Sequence, residues 1–264
     1  MKSDNRYLGA LIIAPILIFI FLGGLPLKIL TIILSIMGMY EFYRAVRKKE
    51  FKPLDIIGYL MLVLYYVFSN RFDILAFIII LGTMLVLIVP VINLKYTFVD
   101  SAITILGFIY VGVFFSFLYL VASKYNGAYY VWLIFIGSWI TDTAAYYSGR
   151  LFGKTKLCPK VSPKKTVEGS IGGLVGAMIF SGIYGIIISN YTDTFAIYHF
   201  FIIGALCGIL SQFGDLVASS VKRYVDVKDY SHLIPGHGGV LDRFDSILFS
   251  GIVVFTYLTL VIGL

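Results

Sequence analysis

Apolar residues run along this chain in long blocks parted by short polar segments. They show neither the strict alternation of a half-buried strand nor the single striped face of a water-soluble helix. A hydrocarbon core of about 30 Å takes about 20 helical residues to cross. By that ruler the blocks predict nine membrane helices, at approximately 8–25, 26–40, 54–69, 73–92, 99–122, 129–148, 169–189, 194–218 and 246–264. The second is short and follows the first through Gly23, Gly24 and Pro26, a sequence suited to a tight turn. A re-entrant hairpin is the alternative over those residues. The expected fold is all-α, a polytopic integral membrane protein. Five spans lie in an N-terminal region (1–128) and four in a C-terminal region (129–264) that carries the two longest polar stretches, 149–168 and 219–245.

Composition supports the same class and removes others. Hydrophobic residues make up 59% of the chain and charged residues 13%, whereas a soluble domain carries roughly 25% charged residues. The 26 glycines and 7 prolines follow no period, which excludes collagen-like and low-complexity readings. Cys158 and Cys207 are too few and too far apart for a disulfide framework or a thiolate metal cluster and read as free thiols. The first apolar block follows a short basic start but no small-x-small cleavage pattern follows it, so it reads as a retained helix.

Basic residues orient the spans, because Lys and Arg collect in cytoplasmic loops. With the N-terminus inside, only Lys28, Arg71 and Lys124 of the 21 fall on the outer side. The +7 net charge is therefore mostly cytoplasmic and attracts anionic headgroups and phosphorylated substrates. It needs no nucleic acid to explain it. The expected location is the cell membrane, with the chemistry facing the cytoplasm, because the only substantial polar segments are the two loops there.

Ionisable residues inside spans are costly and face a wet cavity, a partner or an ion. Asp142 and Asp215 sit near the cytoplasmic ends of the sixth and eighth spans, and so at one depth. Ser211 and Gln212 share a helix face with Asp215. The second loop is the densest in chemistry. Gly236, Gly238 and Gly239 allow backbone N–H groups to turn toward an anion, and Lys222, Arg223, Lys228 and Arg243 supply cations. Asp242 and Asp245, spaced i and i+3, project from one face at the start of the last span. Hard carboxylate oxygens suit Mg²⁺ better than zinc. Singly, each feature has a plain explanation: a glycine turn, a headgroup anchor, a capping acid, a hydrogen-bonded His237. Together they make a polyphosphate-plus-metal arrangement. In the first loop, the run Ser162-Pro-Lys164-Lys165 precedes a span rich in small residues and is a candidate phosphate ligand at a helix N-terminus. Gly169, Gly172, Gly173 and Gly176 read first as a packing face.

These residues resemble the signature of the phosphatidate cytidylyltransferase (CDP-diacylglycerol synthase) family: Ser-x-apolar-Lys-Arg, four residues, Lys-Asp, then Pro-x-His-Gly-Gly-apolar-x-Asp-Arg-apolar-Asp. The segment from Ser219 to Asp245 matches it without a gap. Asp142-Thr-x-Ala-Tyr146, the 162–169 segment and Gly214-Asp215-Leu216 also look like family motifs, whereas the N-terminal spans resemble the family only in topology. One departure is Ala218, where many members carry Glu. The resemblance implies CTP plus phosphatidate giving CDP-diacylglycerol and pyrophosphate, in phospholipid biosynthesis. Mg²⁺ would be held by Asp215 and Asp242 with Asp245 supporting, and a monovalent cation such as K⁺ would sit nearby. Lys222, Arg223 and His237 would be catalytic, and Asp142, Ser162, Lys164, Lys165, Ser219, Lys228, Asp229, Gly238, Gly239 and Arg243 substrate-binding. Homodimerisation is a further expectation. The rivals are a CTP-dependent lipid kinase of the polyprenol or phytol type and, less favoured, a transporter. A transporter needs polar residues deep in several spans, and these acids cluster at one side.

Overall fold

The computed structural model describes residues 17–69, 71–234 and 238–264. The first predicted span lies largely outside the described residues, and its end is helical at 17–22. Gly23 and Gly24 then adopt φ of 60° and 49°, a region that only glycine enters cheaply, and the chain enters α1, Gly24–Val46. There follow α2 (Asp55–Val67), α3 (Phe72–Ile92), α4 (Phe98–Ala122), α5 (127–152), the strands β1 (Lys156–Cys158) and β2 (Ser162–Thr166), α6 (Val167–Ile188), α7 (Tyr198–Tyr224) and α8 (Leu241–Ile262).

The architecture is helical, as expected, but the count of nine spans is not reached among the described residues. Six helices, α1, α3, α4, α6, α7 and α8, are long and apolar enough to cross a membrane. The segment predicted as a short second span is a continuous 23-residue helix that runs past Tyr40 through Glu41 to Val46. The apolar ruler stopped at Glu41 because it treats a buried acid as a loop residue. In the same way α7 continues beyond the predicted limit at 218 to Tyr224, so Ser219, Lys222 and Arg223 are helical, and α8 starts at Leu241. A helix need not end where its hydrocarbon contact ends.

The first polar loop departs from an all-helical reading. Its centre is an antiparallel hairpin pairing Lys156 with Thr166 and Cys158 with Ser162. Glu168 in the first turn of α6 closes it by accepting hydrogen bonds from the backbone N–H of Lys154 (3.0 Å) and Thr155 (3.1 Å). Thr166 caps the same helix, accepting from the Gly169 N–H at 3.1 Å. Ser162 to Lys165 therefore lie on a strand leading into the helix, not on its first turn.

Lipid does not drive helices together as water does, so close packing and buried hydrogen bonds hold the bundle. A Cβ on Gly173 would lie 2.9 Å from the Thr141 carbonyl oxygen of α5, and one on Gly204 2.5 Å from the Ala177 carbonyl oxygen of α6. The glycines of α6 are thus a packing face, as their spacing suggested. In the N-terminal half Ser35 bridges Tyr66 (2.9 Å) and the Gly112 carbonyl (3.0 Å). Polar contacts gather at the two ends of the bundle. Lys49 pairs with Asp226 at 2.5 Å and Arg223 reaches the Val161 carbonyl at 3.5 Å at one end. At the other, Lys28 donates to Ser69 and Asn126 to the Asp193 carbonyl.

Candidate active site

Four acids from three helices line one cavity of about 370 Å³: Asp142 of α5, Asp215 of α7, and Asp242 and Asp245 of α8, together with Trp139, Arg243, Phe244, Ser246 and Ile247. Backbone contact sets their spacing. Gly214 lies so close to α8 that a Cβ there would be 2.5 Å from the Asp245 carbonyl oxygen, which places the neighbouring Asp215 beside the first turns of α8. Asp242 and Asp245 open toward the cavity from one face, as their i, i+3 spacing requires.

The carboxylates differ in what they hold. Asp242 is buried, and both of its oxygens accept hydrogen bonds. Its Oδ1 accepts from Lys222 Nζ at 2.7 Å, and its Oδ2 accepts from the Tyr230 N–H at 2.8 Å and the Gly239 N–H at 3.0 Å. Asp245, also buried, accepts from the Ser246 N–H at 2.8 Å. Asp215 is ion-paired to Lys165. Asp142 faces both this cavity and a neighbouring one of about 360 Å³, whose walls include Arg150, Lys164, Lys165, Thr166 and Gln212. Lys165 thus belongs to the second cavity while touching an acid of the first. Gln212 donates to the Ser170 carbonyl at 3.1 Å, so it ties α7 to α6.

The described residues between α7 and α8 meet the cavity through Asp242, which holds the Tyr230 and Gly239 amides. The Tyr230 hydroxyl donates to the carbonyl of Ala218 at 3.2 Å, and burial, with Tyr110 and the Asp242 and Asp245 carboxylates nearby, pushes its phenol well above the usual value, so it remains a donor. Ala218 is buried and contributes only that carbonyl. Ile234 donates to the Gly238 carbonyl at 2.9 Å, and Gly238 has φ of 86°. His237 lies outside the described residues. Arg223, Lys228 and Arg243 are exposed, Ser162, Ser219 and Asp229 half-buried, and Gly239 buried. Lys222, expected among the phosphate-facing cations, is instead buried against Asp242.

Sequence reasoning missed Glu41. It is buried in α1, and its carboxylate accepts from Ser231 Oγ (2.5 Å) and from the N–H groups of Val240 (2.9 Å) and Leu241 (2.8 Å). The available signal was a lone acid closing an apolar run. It also missed Tyr110, whose hydroxyl is buried without a hydrogen-bond partner within electrostatic reach of Asp245, Asp215 and Asp242. Tyr110 sits in a widened π turn, Gly107–Val113, a feature frequent at functional sites.

The donor chemistry around the first cavity is that of a hard cation. All four acids offer carboxylate oxygen, and the lining holds neither cysteine nor histidine. Among the described residues, no three His, Cys, Asp or Glu side chains form a preassembled cluster.

Fold and site together define a polytopic helical membrane protein with a carboxylate cavity at one end of the bundle, lined also by Arg243 and with Lys165 and Lys222 paired to two of its acids. Over residues 4–261 the sequence matches the profile of the cytidylyltransferase family. The chain belongs to that family. It is 34% identical over 255 residues to the phosphatidate cytidylyltransferase of Staphylococcus haemolyticus, covering 94% of this chain and 95% of that protein. It is 32% identical over 258 residues to the phosphatidate cytidylyltransferase of Bacillus subtilis, with the same coverage. To the Staphylococcus saprophyticus protein of that name it is 40% identical over 156 residues, 59% of this chain and 58% of the relative.

Proposed function

We propose that the chain transfers the cytidylyl group of CTP to phosphatidate at the cytoplasmic face of the cell membrane. A phosphate oxygen of phosphatidate attacks the α-phosphorus of CTP, the bond from that phosphorus to the β-phosphate oxygen breaks, and CDP-diacylglycerol and pyrophosphate form. The observation that carries this reading is a four-carboxylate cavity to which the signature contributes Asp242, Arg243 and Asp245, in a chain related over nearly its whole length to phosphatidate cytidylyltransferases.

The residues divide the work. A phosphate monoester, with a second pKa of about 6, is largely dianionic at neutral pH, so the attacking oxygen needs no general base. The remaining task is to align two anions that repel each other. Lys164, Lys165, Arg223, Lys228 and Arg243, with the Gly238-Gly239 turn and His237, bind the triphosphate. Asp142, Ser162, Ser219 and Asp229 complete the pocket. Lys222 acts through Asp242, which it holds in place. Asp215, Asp242 and Asp245 would hold Mg²⁺, with a monovalent cation such as K⁺ beside it. A bound divalent ion supplies neutralisation of the leaving pyrophosphate. Of Asp242 the oxygen with a lone pair left for this is Oδ1, which accepts from Lys222 Nζ alone, whereas Oδ2 holds two backbone amides. The acyl chains enter laterally from the bilayer between the helices.

Purified protein given CTP, phosphatidate and Mg²⁺ should release pyrophosphate only when phosphatidate is present. Release of CDP in its place would identify a lipid kinase and overturn the proposal.

A further inference from the structure

Glu41 spans the divide between the two halves of the chain. It belongs to α1, yet all three of its hydrogen-bond donors come from the loop before α8 or from the start of that helix: Ser231 Oγ, Val240 N and Leu241 N. A Cβ on Gly239 would lie 2.6 Å from Glu41 Oε2, so the loop backbone rests directly on the carboxylate. The amides of Val240 and Leu241 are orphan donors at a helix start, which the helix itself cannot satisfy. A carboxylate there completes them and is favoured by the helix dipole. An acid with 0% exposure inside an apolar helix is costly, and bulk packing alone would be served by an apolar side chain. The start of the same loop and the end of α7 before it are also held from the N-terminal region, where Lys49 pairs with Asp226 and Phe51 stacks on Tyr224 at 6.2 Å.

We propose that Glu41 is a positioning residue for the reaction: by capping α8 from another helix it fixes where Asp242 and Asp245 point and how the Gly238-Gly239 turn sits. The N-terminal region is then part of the catalytic apparatus. The inference rests on reading this loop as the nucleotide site.

Glu41→Gln keeps the volume and one acceptor oxygen but turns an N–H₂ toward a backbone donor. It should lower kcat by about 10- to 100-fold, the scale of misplacement by about 1 Å, with KM for phosphatidate unchanged and the purified yield intact. Glu41→Ala should be worse. Ser231→Ala, which removes one of the three donors, should have a smaller effect, and combined with Glu41→Gln should add less than its own single effect, because both act on one contact. Amide exchange at Val240 and Leu241 should accelerate in Glu41→Gln while amides of α6 stay protected. Wild-type kcat in both Glu41 variants, or unchanged exchange at Val240 and Leu241, overturns the proposal. If wild-type protein released no pyrophosphate, the assigned reaction would fall, and the exchange measurement would still decide whether Glu41 grips the loop.

Discussion

Lys222→Met removes an ammonium while keeping most of an aliphatic stem, and so isolates the charge. Lys222 Nζ lies 2.7 Å from Asp242 Oδ1, with side chains 10% and 2% exposed. Removing one partner of such a pair costs about 3–5 kcal/mol, because the other charge is left buried. Asp242 keeps the Tyr230 and Gly239 amides, which places the expected loss near the lower bound, about 3 kcal/mol or roughly 6–12 °C in Tm. Asp242→Asn is no gentler. An asparagine oxygen placed on the two amides turns its N–H₂ toward Lys222, and the flipped amide meets two N–H donors. The double variant buries no lone charge and should recover about 2 kcal/mol relative to the sum of the singles. Thermal unfolding of the detergent-purified proteins reads this cycle, with CTP turnover measured alongside. Single losses below about 1 kcal/mol, the range of solvated pairs, or strict additivity would refute the assignment of a buried, coupled pair.

Three further outcomes follow from the geometry. Lys165→Met should leave stability within about 1 kcal/mol, since Lys165 and Asp215 are both partly exposed, yet raise KM for CTP; steady-state kinetics with unchanged KM would remove Lys165 from the substrate site. Gly214→Ala must push α7 from the Asp245 carbonyl, so thermal unfolding should show about 1–3 kcal/mol of destabilisation, with a loss of turnover; a neutral alanine would contradict the close contact. Reporter fusions at Lys49 and Thr155 should read as cytoplasmic and at Tyr191 as external, and a cytoplasmic Tyr191 would reverse the assigned sidedness.

Hydropathy made the helical class, the shared end of the basic loops and the α8 acid pair legible before any coordinates, because each depends on local spacing. Asp142 and Asp215, far apart in the chain, were placed together by depth alone, and one cavity indeed holds both. What stayed hidden depends on contacts between distant segments. Lys222 reads as a phosphate cation until Asp242 is seen beside it. Glu41 reads as a span terminus until its three donors are found in a loop nearly two hundred residues later. The 156–166 hairpin carries no apolar alternation long enough to announce a strand, and Glu168, which closes it, is indistinguishable from an ordinary first-turn acid.

The reaction is tested most directly by the fate of the phosphorus atoms of CTP. Purified protein with phosphatidate, Mg²⁺ and CTP labelled separately at the α- and γ-positions should carry the α-label into the lipid product and release the γ-label as pyrophosphate. Label from the γ-position in the lipid, or no lipid label from either position, would contradict cytidylyl transfer.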